Sequence, residues 1–67
     1  MSTSIHTVLH HTALALSGAI GARTRLARLA PGPEHRELMA ALERVVGQLE
    51  VELAALRYQA RHRVAAA

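Results

Sequence analysis

The chain has 67 residues, of which 51% are apolar, and it contains no cysteine and a single aromatic residue, Tyr58. Disulfides and thiolate metal sites are therefore excluded, and the abundance of Ala, Leu, Arg and Glu favours helices over strands. A domain of this size rarely gains more than about 3–5 kcal/mol from its own core, so we expect oligomerisation to stabilise it.

The charge is divided unevenly along the chain. The formal net charge is +3, and lysine is absent, so arginine supplies all the fixed positive side-chain charge. Residues 1–33 contain Arg23, Arg25 and Arg28 but no acidic residue, whereas five Glu balance five Arg from Glu34 onward. A basic, acid-poor segment of this kind is typical of attraction to phosphate groups or to an anionic membrane surface, and equally of a transit peptide.

The first predicted helix covers residues 4–29. Ser4 lies immediately before the periodic pattern, where a capping residue is expected. Apolar residues then recur at steps of three and four from Ile5 to Leu29, which predicts one broad apolar face. Gly18 and Gly21 interrupt the middle of this helix, and interior glycines cost about 1 kcal/mol each relative to alanine. We expect either a close crossing of helix backbones or a bend there.

A turn follows at residues 30–33, where two prolines flank Gly32. Proline disfavours helix in the residue before it and is tolerated in the first turn of a new helix. The second predicted helix therefore covers residues 34–63, with a tail at residues 64–67. Its apolar stripe runs at the same steps from Met39 to Ala60 and is the stronger of the two.

The predicted fold is an all-α antiparallel helical hairpin in one domain. Two helices side by side would leave much of these wide stripes in water, which favours a homodimeric four-helix bundle. A larger protein could supply the same cover, so a hetero-oligomer stays open. The residues predicted to form the dimer core are Ile5, Leu9, Leu16, Leu26, Met39, Leu42, Val46, Leu49, Leu53 and Leu56.

The second helix also carries a weaker apolar line away from its main stripe. Val51, Ala54 and Tyr58 lie on it, and tyrosine is a frequent anchor at interfaces. These three residues are the predicted partner-binding surface. The leading hypothesis is a small regulatory protein that self-associates and binds a larger protein to modulate it, as bacterial and phage inhibitors or adaptors do.

Two alternative functions depend on other residue types. In the first, arginine-rich helix ends bind nucleic acid through phosphate contacts. The arginines concerned are Arg23, Arg25, Arg28, Arg57, Arg61 and Arg63. In the second, metal links the assembly through N-terminal histidines, because a spacing of four puts two imidazoles on one helical face. The ligands would be His6 and His10, with His62 brought near by antiparallel packing.

Catalytic residues and cofactor motifs are not recognisable in the sequence. The chain has no Asp or Cys, no nucleophile beside a base and no glycine-rich phosphate loop, so we expect a non-enzyme without a cofactor. No apolar run reaches the roughly 18 residues that would span a bilayer, and we expect no integral membrane span. The lack of cysteine fits a cytoplasmic protein.

Overall fold

The computed structural model describes the backbone of residues 4–66 and the side chains of residues 4–62. These residues form two α-helices, α1 (Ile5–Ala27) and α2 (Pro33–Ala66), which pack against each other. Residues 4–66 contain no strand. The hairpin measures 52 Å along its longest axis and 19 by 17 Å across it. The predicted all-α helical hairpin is therefore confirmed.

α1 begins directly after Ser4, whose side chain caps the helix. The Ser4 hydroxyl accepts a hydrogen bond from the backbone N–H of His6 at 3.1 Å. The first-turn N–H groups have no partner inside a helix, and a capping side chain satisfies one of them. The predicted cap is confirmed.

α1 ends at Ala27, earlier than the predicted end at residue 29. The N–H of Arg28 donates to the Arg25 carbonyl at 3.2 Å, and the N–H of Leu29 donates to the Leu26 carbonyl at 3.0 Å. Bonds between residues three apart tighten the last turn of a helix and satisfy carbonyls that would otherwise lack partners. Leu29 thus lies in the segment that connects α1 to α2 and not in α1.

α2 begins at Pro33, where the missing N–H of proline costs nothing. The helix continues to Ala66, so residues 64–66 are helical and do not form the predicted tail; Ala67 lies outside the described residues. With 34 residues against 23, α2 is about 16 Å longer than α1 at the usual rise per residue.

The helices meet along a seam of residues that follow each other at steps of three and four. This spacing is typical of the shallow crossing found in helical bundles. Every seam residue is half-buried or buried, and the seam comprises Ile5, Leu9, Thr12, Leu16, Ala19, Arg23 and Leu26 of α1 with His35, Met39, Leu42, Val46, Leu49, Leu53, Leu56 and Ala60 of α2.

The core that results is thin. Among the side chains of residues 4–62, only Val46, Leu53 and Ala60 are buried, with 2%, 5% and 8% of their surface exposed. All three belong to α2, and α1 contributes no buried residue. The rest of the seam is covered on one side only, as expected for two helices without a third layer.

The close crossing expected at the glycines of α1 does not occur within the hairpin, and these glycines do not interrupt the helix. α1 is continuous from Ile5 to Ala27. A Cβ atom added at Gly18 or Gly21 would meet no atom within 4 Å beyond its immediate helical neighbourhood. These glycines therefore weaken α1 without bringing its backbone closer to α2.

Candidate interaction surfaces

The ten residues predicted as dimer core all lie in the seam. They pack α1 against α2 within one chain, and most of them are only half-buried. Their first role is therefore to hold the hairpin, with Val46 and Leu53 at the centre. A second chain that packed against the hairpin could bury the surface of these residues that α1 and α2 leave exposed.

Two flanks of different character border the seam. On each helix, the residues next to the seam on one side belong to one flank, and those on the other side belong to the other flank. Antiparallel packing brings the matching sides of the two helices together. The apolar flank comprises Val8, Ala15, Ala22 and Leu29 with Leu38, Val45, Glu52 and Gln59. The charged flank comprises His6, Ala13, Ile20 and Ala27 with Arg36, Glu43, Glu50 and Arg57.

The cavities show which residues of the two helices share a side. Leu29 and Leu38 line one cavity of about 470 Å³ next to the turn, where the seam residues Leu26 and His35 form its inner wall. Ile20 and Arg57 line another cavity, of about 280 Å³, on the opposite side. The large aliphatic residues of the apolar flank are 38–62% exposed, so this side of the hairpin is an uncovered apolar surface.

The predicted partner-binding residues lie on the outside of α2. Val51 and Tyr58 lie opposite the seam, with 70% and 59% of their surface exposed. The Tyr58 ring packs on the His62 ring, with 3.9 Å between centroids and a tilt of 45°. Ala54 is also exposed, but it adjoins the charged flank and lines a groove there. The three residues thus form one surface that hairpin packing does not use.

That groove, which we call the open-end groove, lies at the end of the hairpin away from the turn. It measures about 560 Å³ and has an apolar floor and a cationic rim. The residues that line it are Leu9, Ala54 and Ala60 together with His6, Arg57 and Arg61. No acidic residue lines it. Sequence reasoning missed this groove, although antiparallel pairing of the first turns of α1 with the last turns of α2 predicts which residues meet.

His35 connects the two helices at the turn. Its ring Nε2 lies 2.7 Å from the carbonyl oxygen of Leu26, and the side chain is half-buried. A carbonyl can only accept, so Nε2 carries the proton and donates. The same carbonyl accepts from the Leu29 N–H, so His35 adds a second donor, from the start of α2, to one of the last carbonyls of α1. The sequence signal is that His35 precedes Met39 by four residues and so continues the seam.

The other histidines do not form a ligand cluster in one chain. His6 lines the open-end groove, the His10 and His11 rings are 6.0 Å apart, and His62 contacts Tyr58. Within the described part of the chain, no three His or Glu side chains are grouped so that they could hold a metal ion. A metal site that uses His6, His10 and His62 would therefore need ligands from more than one chain.

The arginines proposed for nucleic acid divide into separate groups. Arg23 is half-buried in the seam, and Arg25 and Arg28 lie exposed beside the turn. Arg57 and Arg61 line the open-end groove at the far end of a molecule 52 Å long. The side chain of Arg63 lies outside the described residues. The hairpin therefore does not gather these arginines into one continuous basic face.

Comparison of the chain with protein-family models, curated proteins and solved structures finds no match. In the part of the chain that the structure describes, neither helix has the length and apolar content needed to cross a membrane.

Proposed function

We propose that this protein is a non-enzymatic regulatory protein that self-associates and binds a larger protein, whose activity it modulates. The observation that carries the proposal is the exposed apolar surface outside the seam. Val51 and Tyr58 are more than half exposed and contribute nothing to the packing of α1 on α2. A partner that covers an exposed tyrosine gains both apolar contact and a hydrogen-bonding group, which is why tyrosine anchors many interfaces.

The open-end groove supports a partner of particular chemistry. Its floor is apolar, while Arg57 and Arg61 stand at its rim with His6. An amphipathic segment with acidic residues fits both features, because its apolar side would cover Leu9 and its carboxylates would pair with the arginines. Complementary charge across an interface also speeds encounter and excludes wrongly charged partners.

Affinity capture from cells that produce the protein tests this proposal. Wild-type protein and three variants would be compared by quantitative mass spectrometry: Tyr58→Ala, Val51→Glu and the control Leu14→Ala. Leu14 is a large apolar residue on α1 with 57% of its surface exposed, so the control removes a similar exposed contact elsewhere. Wild type and Leu14→Ala should capture the same partner, whereas Tyr58→Ala and Val51→Glu should lose it with unchanged helical content. Capture of that partner by Tyr58→Ala at the wild-type level would contradict the proposal.

Nucleic-acid binding is the second candidate, supported by the pair of arginines in the open-end groove. Fluorescence anisotropy with duplex DNA and single-stranded RNA tests it. Binding that uses about six phosphate contacts should weaken by about 1,000-fold between 50 and 200 mM salt. Docking of an apolar protein segment on Tyr58 should depend far less on salt.

A further inference from the structure

We propose that a second copy of this chain docks on the apolar flank, with both turns at the same end of the resulting four-helix bundle. This inference rests on the self-association proposed above. It adds the face that each copy uses and the orientation of one hairpin relative to the other.

The exposed area of the chain is larger than that of a compact monomer. The hairpin exposes 5281 Å², which is about 1,200 Å² more than the roughly 4,100 Å² expected for a folded monomer of 7.2 kDa. If each of two chains buried that excess, the interface would cover about 2,400 Å² in total, within the range of permanent homodimers. A second copy of this chain is therefore an occupant of sufficient size.

The two flanks differ in how well they can be buried. On the charged flank, the four α2 positions are Arg36, Glu43, Glu50 and Arg57, and burying them would remove charges from water. On the apolar flank, the corresponding positions begin with Leu38 and Val45, and only Glu52 is charged. The α1 positions are apolar on the apolar flank throughout. Self-association is therefore expected on the apolar flank.

The orientation follows from where the large apolar residues lie along that flank. Leu29 and Leu38 meet at the turn cavity, whereas Glu52 and Gln59 belong to the half nearer the open end. A two-fold axis along the bundle keeps each residue at its height, so Leu38 of one copy lies beside Leu29 of the other. A two-fold axis across the bundle would instead set Leu38 and its neighbours against the polar half of the second copy.

Charge favours the same orientation. α1 contains no acidic residue, and all five Glu of the chain belong to α2. With both turns at one end, α1 of each copy lies beside α2 of the other, so Arg25 and Arg28 lie near a helix that carries Glu34 and Glu37. With the turns at opposite ends, α1 of each copy would instead lie beside α1 of the other, which carries no acidic residue to pair with Arg25 and Arg28.

A matched pair of variants tests the face. Val45 on the apolar flank and Ile20 on the charged flank are β-branched residues in the middle of their helices, with 44% and 38% of their surface exposed. Because the change occurs twice in a dimer, Val45→Glu should weaken dimerisation by about 100-fold or more. Ile20→Glu should leave it nearly unchanged. Light scattering across concentration measures both, and equal weakening by the two variants, or a stable Val45→Glu dimer, would overturn the assignment of the face.

A spin label at the turn, outside the turn cavity, tests the orientation. Pro31 is exposed and does not line that cavity, so Pro31→Cys accepts a label. With turns at the same end, the two labels should lie within about 25 Å, given helix spacings of about 8–10 Å. Turns at opposite ends would separate them by nearly the 52 Å length of the hairpin. A pulsed-resonance distance in the longer range would overturn the orientation, even if Val45→Glu proves unfolded.

The outcomes distinguish this inference from the proposal on which it rests. A wild-type chain that stays at 7.2 kDa at every concentration would contradict self-association and the inference together. A dimer whose labels at position 31 are far apart, or one that tolerates Val45→Glu, would contradict the inference alone.

Discussion

Leu53→Ala should cost the protein most of its stability, because Leu53 lies at the centre of a very thin core. Only 5% of its surface is exposed, and it is one of three buried residues among those whose side chains are described. Removing a buried leucine side chain to alanine costs about 2–5 kcal/mol, of which part comes from the cavity left behind. The core of a hairpin of this size rarely supplies more than about 3–5 kcal/mol, so the variant should be largely unfolded at concentrations where the wild-type chain is still folded. Urea unfolding followed by circular dichroism measures the loss.

Leu14→Ala is the matched control, since it makes the same chemical change on the outside of α1. Leu14 has 57% of its surface exposed, and alanine has the higher helix propensity, so the free energy of unfolding should change by less than about 1 kcal/mol. If Leu14→Ala and Leu53→Ala lowered the urea midpoint equally, the seam would not be what holds the hairpin, and the assignment of inner and outer faces would be wrong.

The remaining predictions concern single contacts and use the same unfolding assay unless stated. Ser4→Ala should destabilise the protein by about 1 kcal/mol, because the first turn of α1 loses the side chain that accepts from its N–H. His35→Ala should cost about 0.5–1.5 kcal/mol by removing one of the two hydrogen bonds to the Leu26 carbonyl, which keeps the bond from the Leu29 N–H, and His35→Gln should recover part of this loss if its amide reaches the same oxygen. Gly18→Ala should stabilise α1 by about 0.5–1 kcal/mol, since the added methyl group meets no neighbour; a destabilised Gly18→Ala dimer would mean that a second chain approaches that site closely.

The secondary structure of the hairpin was predictable because its signals are local. Ser4 caps α1, and the prolines around Gly32 end one helix pattern and begin the next, so residues near each boundary determine it. The seam of α2 was equally predictable, since large apolar residues occupy almost every third or fourth position from Met39 to Leu56. Local signals of this kind do not depend on how the helices meet.

The seam of α1 was harder to predict because the apolar face of this helix is wider than the strip that contacts α2. Val8 and Leu29 fit the periodic pattern as well as Leu9 and Leu16 do, but packing on α2 selects the second pair and leaves the first exposed. Periodicity gives the width of an apolar face and not the part that a single neighbour will cover. The open-end groove and the bond from His35 were missed for a related reason, since both depend on the register between the helices.

The proposal that this hairpin completes its fold by self-association is tested by the mass of the chain in solution. Light scattering of the wild-type chain over a hundredfold range of concentration, with circular dichroism on the same samples, should give a helical species of twice the 7.2 kDa chain mass. On dilution, mass and helicity should fall together, because the isolated hairpin buries too little apolar surface to be stable. A fully helical species that stays at 7.2 kDa throughout would show that the hairpin is stable without self-association.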